Sequence, residues 1–270
     1  MSIPEHRGYP SYKGRFPFRV GCTSYVFPDD ILPNVRAMAP VVDDIELVLF
    51  ESAENANLPL PAHVEELGEL ARKHALSFTV HFPLDRRACA ADRRESDAFV
   101  AQCHRIVTLC EPLRPYGYIL HLEGRMEGGN ETEIHRWRSA AERVCDAVAE
   151  AVSDRGRVCV ENLGYDWRLH RDLVERYGFS LCLDIGHLWL YERNWRDACR
   201  EMLPRTRVVH LHGLEQGRDH VSLARGPLDD TGVFVALLKE SRYNRLVTLE
   251  VFSENDTFES LARLERAWHA

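Results

Sequence analysis

The chain divides into short runs of almost continuously hydrophobic residues and longer segments in which hydrophobic and polar residues recur at helical spacing. Short continuous hydrophobic runs are typical of strands that are covered on both faces, as in a parallel sheet. The predicted strands span residues 19–23, 45–50, 77–82, 118–122, 157–162, 180–184, 207–212 and 245–251.

The segments between these strands carry apolar residues three and four positions apart, which predicts amphipathic helices. Their predicted spans are 62–74, 97–110, 133–153, 168–176, 195–202, 230–239 and 258–267. A first helix at 31–38 is expected to be bent or broken by Pro33. Repeated strand-and-helix units in 270 residues favour a single closed (β/α)8 barrel, the TIM barrel, which typically needs about 250 residues.

Composition narrows the class of protein. Residues 16–270 are expected to form the barrel domain, and the polar segment 1–15 an N-terminal arm that lacks the apolar core of a signal peptide. The absence of any apolar run of about 18 residues predicts no membrane partner. A formal net charge of -8 disfavours a nucleic-acid partner. The eight cysteines form no CxxC pair, which favours buried reduced thiols and a cytoplasmic location.

Six of the predicted strands deliver a histidine or an acid at or near their last residue. These residues are His81, His121, Glu161, Asp184, His210 and Glu250. The C-terminal strand ends of a TIM barrel meet at one face, where the chemistry of such barrels takes place. Because side chains alternate along a strand, Cys159 and Cys182 are expected to point into the barrel beneath Glu161 and Asp184.

Four of these residues, from successive strands, predict a metal site. Glu161, Asp184, His210 and Glu250 would place three carboxylates around one centre, where they repel one another unless a cation is bound. An oxygen-rich set with one imidazole suits Mn²⁺, Zn²⁺ or Fe²⁺. The alternative is that each acid is paired with an arginine.

Further histidines raise the predicted number of divalent ions to between one and three. His81 and His121 can hold a second ion that Glu161 bridges, or they can be ordinary core histidines. His187, Asp219 and His220 are candidates for a third. Alternatively, His187 and Arg218 bind an anionic group of the substrate.

Polar and aromatic residues near the strand ends are candidate substrate contacts. Each also has a simpler interpretation, as a cap, a charged rim or loop packing. The candidates are Thr23, Ser24, Asp85, Glu123, Arg125, Asn162, Trp189, His212 and Arg218. His212 shares a face with His210 but lies further out, which favours a substrate contact over a metal ligand.

The set Glu161, Asp184, His210 and Glu250 resembles the metal site of the xylose-isomerase-like barrels, which include sugar isomerases, sugar epimerases and AP endonucleases. The added histidines and the segment Asp184-Ile-Gly-His187 look more like the endonuclease branch, which uses three zinc ions. That resemblance implies that His187 and an Asp-x-His pair hold the third ion. This chain has Asp219 and His220 adjacent, which puts the third ion in doubt.

Several segments are similar to the cobamide-remodelling phosphodiesterases, an offshoot of the endonuclease-like barrels. They are residues 16–25, 42–51, 80–85, 184–189, 218–223 and 248–253. The resemblance implies a metal-dependent hydrolase that cleaves the nucleotide-loop phosphodiester of a cobamide such as cobalamin. The expected products are α-ribazole and cobinamide phosphate. In this hypothesis Glu161 lies beside the attacking hydroxide, and His187 or His220 steadies the leaving oxygen.

Two other activities remain open at this point. A sugar or sugar-phosphate isomerase or epimerase needs one metal ion and an acid–base pair that moves a proton. Phosphodiester cleavage gains from two ions, so His81 and His121 favour hydrolysis. An AP endonuclease acting on DNA is less favoured, because the chain is acidic.

Overall fold

The computed structural model describes residues 8–51, 56–124, 129–191, 194–225 and 228–270. The first seven residues of the predicted arm, and the candidate substrate contact Arg125, lie outside the described residues. The part of the arm that is described contacts the barrel, since Tyr12 is buried and its amide donates to the carbonyl of Val41 over 2.8 Å.

Within these ranges, strands from the whole length of the chain close into a barrel in which every neighbouring pair is parallel. The strands are β1 (Arg19–Thr23), β2 (Asp44–Val48), β3 (Ser77–His81), β4 (Tyr118–Leu120), β5 (Val158–Glu161), β6 (Ser180–Asp184), β7 (Thr206–Leu211) and β10 (Leu246–Leu249). A separate antiparallel hairpin consists of β8 (Gly213–Glu215) and β9 (Arg218–Val221). The prediction of a single (β/α)8 barrel is confirmed.

Helices connect the strands. They are α1 (Ile31–Met38), α2 (Pro61–His74), α3 (Arg93–Cys110), α4 (Glu131–Ala151), α5 (Arg168–Tyr177), α6 (Ile185–Tyr191), α7 (Trp195–Met202), α8 (Leu228–Glu240) and α9 (Glu254–His269). The expectation that Pro33 bends or breaks the first helix was wrong. Pro33 stands in the first turn of α1, where the backbone N–H has no partner within the helix, so its loss disrupts nothing.

Among the residues that the structure describes, the hydrophobic core has two parts. The larger lies between the barrel and its helices. The smaller fills the barrel interior and includes Ile119, Cys159, Cys182 and Val208, which agrees with the predicted alternation. None of the described helices has the length and apolar character needed to cross a membrane.

Helix α6 and the hairpin β8–β9 were not predicted from the sequence. Helix α6 begins at Ile185, directly after the last residue of β6, so Asp184 stands at the junction of strand and helix. The hairpin β8–β9 turns at Gln216 and Gly217, which both have positive φ angles of 53° and 79°, as the tight turn of a two-residue hairpin requires. This hairpin brings His220 back over the end of β7.

Candidate metal centre

The carboxyl ends of the barrel strands bring the predicted ligands together at one face. Glu161 and Asp184 end β5 and β6, and His210 is paired in register with Asp184 across the β6–β7 boundary. Glu250 follows the last residue of β10. All four are buried, which is unusual for acids unless they are paired or bind a cation.

These four residues form a compact group in which one ligand atom from each lies within 4.8 Å of the others. The Nδ1 atom of His210 lies 3.2 Å from Oε2 of Glu161 and 3.0 Å from Oε2 of Glu250. The described residues place no arginine in this group, so the alternative that each acid is paired with an arginine is not what the structure shows.

Unsatisfied polar atoms test whether a cation fits this centre. Among the described side chains, both carboxylate oxygens of Glu161, Oε2 of Glu250 and Nδ1 of His210 are buried without a hydrogen-bond partner. Buried polar atoms are rarely left in this state, because each loses its hydration without compensation. Their convergence fits a divalent ion, to which oxygen and imidazole ligands of this kind bind.

The protonation of the group supports the same interpretation. Burial alone would raise the pKa of Glu161, but the imidazoles of His121 and His210 hold that pKa well below its usual range. Burial likewise opposes the charge on Glu250, and His210 lowers its pKa. Burial lowers the pKa of His210, but the carboxylates of Glu46, Glu250 and Glu161 raise it overall. Protonated His210 thus places positive charge among the acids of this group.

A second group shares Glu161 and contains His81 and His121. Nε2 of His121 lies 3.0 Å from Oε2 of Glu161, and Nε2 of His81 lies 3.9 Å from the same oxygen. Nδ1 of His81 donates to the carbonyl of Phe82 over 2.7 Å, which leaves its Nε2 lone pair directed at the centre. Burial and the neighbouring His121 lower the pKa of His81, so His81 is neutral and able to act as a ligand.

A third group consists of Asp184, His187, His212 and His220. Its composition differs from the prediction. The structure brings His212, predicted as a substrate contact, within 3.2 Å of Asp184. Asp219, predicted as a ligand, instead lies 3.1 Å from Nδ1 of His220 and is partly exposed. His220 has a positive φ of 53° and its amide donates to Nδ1 of His212, so the hairpin conformation positions this pair.

Close packing explains the glycine between Asp184 and His187. A Cβ atom built on Gly186 would overlap the imidazole ring of His212. The first turn of α6 can therefore approach His212 only if residue 186 lacks a side chain. The backbone amide of His187 donates to Oδ1 of Asp184 over 2.7 Å, which orients this carboxylate.

The predicted substrate contacts fall into two sets. Thr23, Ser24 and Asn162 are buried and bonded to the backbone of the strand ends. Asn162 pairs through its amide with both backbone groups of Asp184, at 2.8 Å each. Asp85, Glu123 and Arg218 are exposed, and Trp189 packs edge-on against Trp195 with ring centroids 6.1 Å apart. The structure does not bring this second set into the centre.

Two buried acids on β2 were missed by the sequence reasoning. Asp44 and Glu46 are both inaccessible to solvent, and Glu46 contacts His210. Strand β2 was predicted at 45–50, with Glu51 at its end. It runs instead over Asp44–Val48, and Glu51 pairs with Arg105 at the surface. The sequence does contain a signal for them. Asp44 and Glu46 are two positions apart within an apolar run, which places both side chains on the same face of the strand.

The architecture and the grouped ligands define the class: a parallel TIM barrel with a candidate metal centre at the carboxyl ends of its strands. Within that class, the chain belongs to the family described as xylose isomerase-like TIM barrel, which matches residues 42–269. A comparison with curated protein sequences found no significant match.

Solved structures of similar fold carry the names of sugar epimerases. A D-tagatose 3-epimerase-like protein has 18% identity and a TM-score of 0.77, covering 93% of this chain and 97% of its own. The 3-keto-D-glucoside 4-epimerase from E. coli has 16% identity and a TM-score of 0.73, covering 94% and 100%. D-Psicose 3-epimerase from Clostridium cellulolyticum H10, solved with D-tagatose, has 14% identity and a TM-score of 0.64, covering 93% and 96%. At these levels of sequence identity, the similarity shows that the fold is shared and nothing more.

These comparisons correct the predicted function. The prediction of a cobamide phosphodiesterase was wrong, because the three solved structures described above are named as sugar epimerases or epimerase-like proteins. The wider resemblance to the xylose-isomerase-like barrels is confirmed, whereas the narrower one to cobamide-remodelling enzymes is not.

Proposed function

We propose that the protein is a divalent-metal-dependent sugar epimerase or isomerase. The observation that carries this proposal is the pair of buried carboxylates, Glu161 and Glu250, which lie 3.2 and 3.0 Å from the same nitrogen of His210. Both have lowered pKa values, so both are ionised at neutral pH and able to accept a proton. Proton removal beside a carbonyl group requires such a base, and a cation assists it.

The barrel separates the two carboxylates in a way that suits epimerisation. Inverting a carbon next to a carbonyl requires that a proton leave from one face and another return to the opposite face. Glu161 ends β5 and Glu250 follows β10, and β6 and β7 lie between those strands in the barrel. The carboxylates therefore reach the centre from different directions. This supports one carboxylate taking the proton from one face of the substrate carbon, while the other, once it has itself taken up a proton from water, delivers that proton to the opposite face.

The remaining two residues of the group serve the cation. Asp184 and His210, together with the two glutamates, form a set that suits Mn²⁺ or Zn²⁺. A divalent ion held there would supply Lewis-acid polarisation of the substrate carbonyl. Asn162 keeps Asp184 in position through its paired amide bonds to the backbone.

A cleft beside the centre offers room for a sugar. It has a volume of about 600 Å³ and is lined mainly by apolar side chains, including Phe27, Val48 and Phe252. The ring of Phe252 lies 5.6 Å from that of His220, centroid to centroid, so the cleft adjoins the third ligand group. Apolar walls with a few convergent polar groups are the usual composition of small-molecule sites.

The experiment incubates metal-loaded protein with a panel of ketopentoses and ketohexoses in D₂O and follows the products by NMR. An epimerase gives a second ketose that carries deuterium at the inverted carbon. An aldose product would instead identify an isomerase, in which the proton returns to the neighbouring carbon. Fully metallated protein that neither converts nor deuterates any sugar in the panel would contradict the proposal.

Matched variants separate the roles of the carboxylates. Glu161→Gln and Glu250→Gln each remove one acid–base group, and turnover is expected to fall by at least 10²-fold. Asp184→Asn weakens the cation site, and excess metal should restore part of its activity. Glu51→Gln is the control, because this acid also follows a barrel strand but pairs with Arg105 at the surface. It should leave turnover unchanged.

A further inference from the structure

A buried glutamate lies beneath the candidate metal centre. Glu46 is in the middle of β2, paired in register with Thr23 on one side and Thr79 on the other. Its side chain has no exposure to solvent. Oε2 of Glu46 lies 2.9 Å from Nε2 of His210, a residue that is itself completely buried.

This contact determines which nitrogen of His210 carries the proton. In a hydrogen bond between an imidazole and a carboxylate oxygen the N–H donates and the oxygen accepts, so Nε2 of His210 carries a proton and donates it to Oε2 of Glu46. In the neutral form of His210, the form that can bind a cation, the other nitrogen, Nδ1, then has the lone pair. Nδ1 is the atom that faces Glu161 and Glu250, and it has no hydrogen-bond partner among the described side chains.

We propose that Glu46 is a positioning residue of the metal centre, which fixes the ring and tautomer of His210 so that Nδ1 is presented to a divalent cation. The proposal rests on the metal site of the proposed function but is independent of the sugar chemistry. A carboxylate that accepts from the distal nitrogen of a ligating histidine also makes the imidazole more basic. Removing such a partner typically weakens metal binding by 10- to 100-fold.

Strand β2 provides a matched control. Asp44 lies two residues earlier on the same face, is equally buried, and accepts a hydrogen bond from the hydroxyl of Ser77 rather than from a candidate ligand. Replacing Asp44 therefore tests the general effect of losing a buried acid inside the barrel. Replacing Glu46 adds the loss of the bond to His210.

The test measures Zn²⁺ affinity and stoichiometry of the full chain by competition with a chelator, without any sugar present. Glu46→Leu should bind zinc 10- to 100-fold more weakly than wild type. Glu46→Gln keeps an acceptor oxygen and should lose less, and Asp44→Asn should bind as wild type. The proposal is overturned if Glu46→Leu binds as tightly as wild type, or if Asp44→Asn loses as much. It is also overturned if Glu46→Leu loses one whole ion while the rest bind unchanged, because Glu46 would then be a ligand.

A second measurement needs no variant and does not depend on how the variants fold. In zinc-loaded wild-type protein with ¹⁵N-labelled histidine, NMR should locate the proton of His210 on Nε2 and the metal on Nδ1. Zinc on Nε2, or a proton on Nδ1, would overturn the proposal. Because neither measurement uses a substrate, failure to find epimerase activity would leave both results interpretable.

Discussion

Metal binding at the third ligand group should depend strongly on pH, because two of its histidines hold protons. Burial lowers the pKa of His187, but Asp184 and Glu161 raise it overall to about 11. Burial also opposes the charge on His220, and Glu250 raises its pKa to about 9. Both imidazoles are protonated at neutral pH, and each must lose a proton before it can bind a cation.

The size of the effect follows from these values. At pH 7 a histidine with a pKa of about 9 is unprotonated about 1% of the time. Proton competition at His220 therefore weakens the apparent metal affinity by about 100-fold, or roughly 2.7 kcal/mol. The affinity should rise about tenfold per pH unit for each proton released, so the slope of log K against pH should lie between about one and two.

The assay measures Zn²⁺ affinity from pH 6.5 to 8.5 against a chelator of known proton affinity. In His220→Gln the slope should fall by about one, because one titrating ligand is gone, whatever happens to the affinity itself. His104→Gln, which replaces an exposed histidine on α3, should keep the wild-type slope. A slope of zero in wild type, or an unchanged slope in His220→Gln, would show that these histidines do not release protons when the cation binds.

Three further predictions concern the scaffold. Burial raises the pKa of Cys159 to about 12 and that of Cys182 well above its usual range. A thiol reagent should therefore label neither cysteine in the folded protein. Rapid labelling of either one would contradict the strand register of the barrel. Gly186→Ala should lower the free energy of unfolding by about 1–3 kcal/mol in chemical denaturation, because its Cβ overlaps His212; unchanged stability would show that the ring moves aside freely. Burial lowers the pKa of His170 from 6.5 to about 3, so the unfolded chain binds more protons below pH 6.5 and stability falls as the pH drops. Between pH 8 and pH 5 the protonation of His170 should lower the free energy of unfolding of the wild-type protein, measured in urea, by about 2 kcal/mol. His170→Gln should lose about 2 kcal/mol less than wild type over the same pH range. An equal loss in wild type and variant would contradict this prediction.

The barrel and the strand-end ligands were predictable because both follow from local patterns. Continuous apolar runs are typical of buried parallel strands. A charged residue buried at the end of such a run lowers the stability of the fold unless it is paired or binds a cation. Period-two alternation then placed Cys159 and Cys182 inside the barrel, where the structure has them. These signals need no knowledge of which strands are neighbours.

The parts that escaped prediction depend on contacts between distant segments. Glu46 stands in mid-strand, and only the closure of the barrel places it against His210, 164 positions away. His212 joins the third group because the β8–β9 hairpin folds His220 onto it, with the two ring centroids 4.3 Å apart. A hairpin that displaces Asp219 from the centre cannot be derived from residue types alone.

The sequence also favoured the endonuclease branch of the family, and the reason for this error is physical. In the sequence, extra histidines at strand ends favour two-metal hydrolysis, but the same residues are compatible with a barrel that uses one cation and an acid–base pair. The residue types of the ligands indicate that a cation can bind. They do not indicate which group of the substrate faces the cation, because the position of the substrate depends on the cleft and on the loops around it.

Anomalous diffraction from zinc-loaded crystals would show whether a divalent cation binds among Glu161, Asp184, His210 and Glu250. We expect a peak about 2.0–2.2 Å from a carboxylate oxygen of each acid and from Nδ1 of His210. Zinc that occupies only other parts of the protein, with these four side chains left uncoordinated, would contradict it.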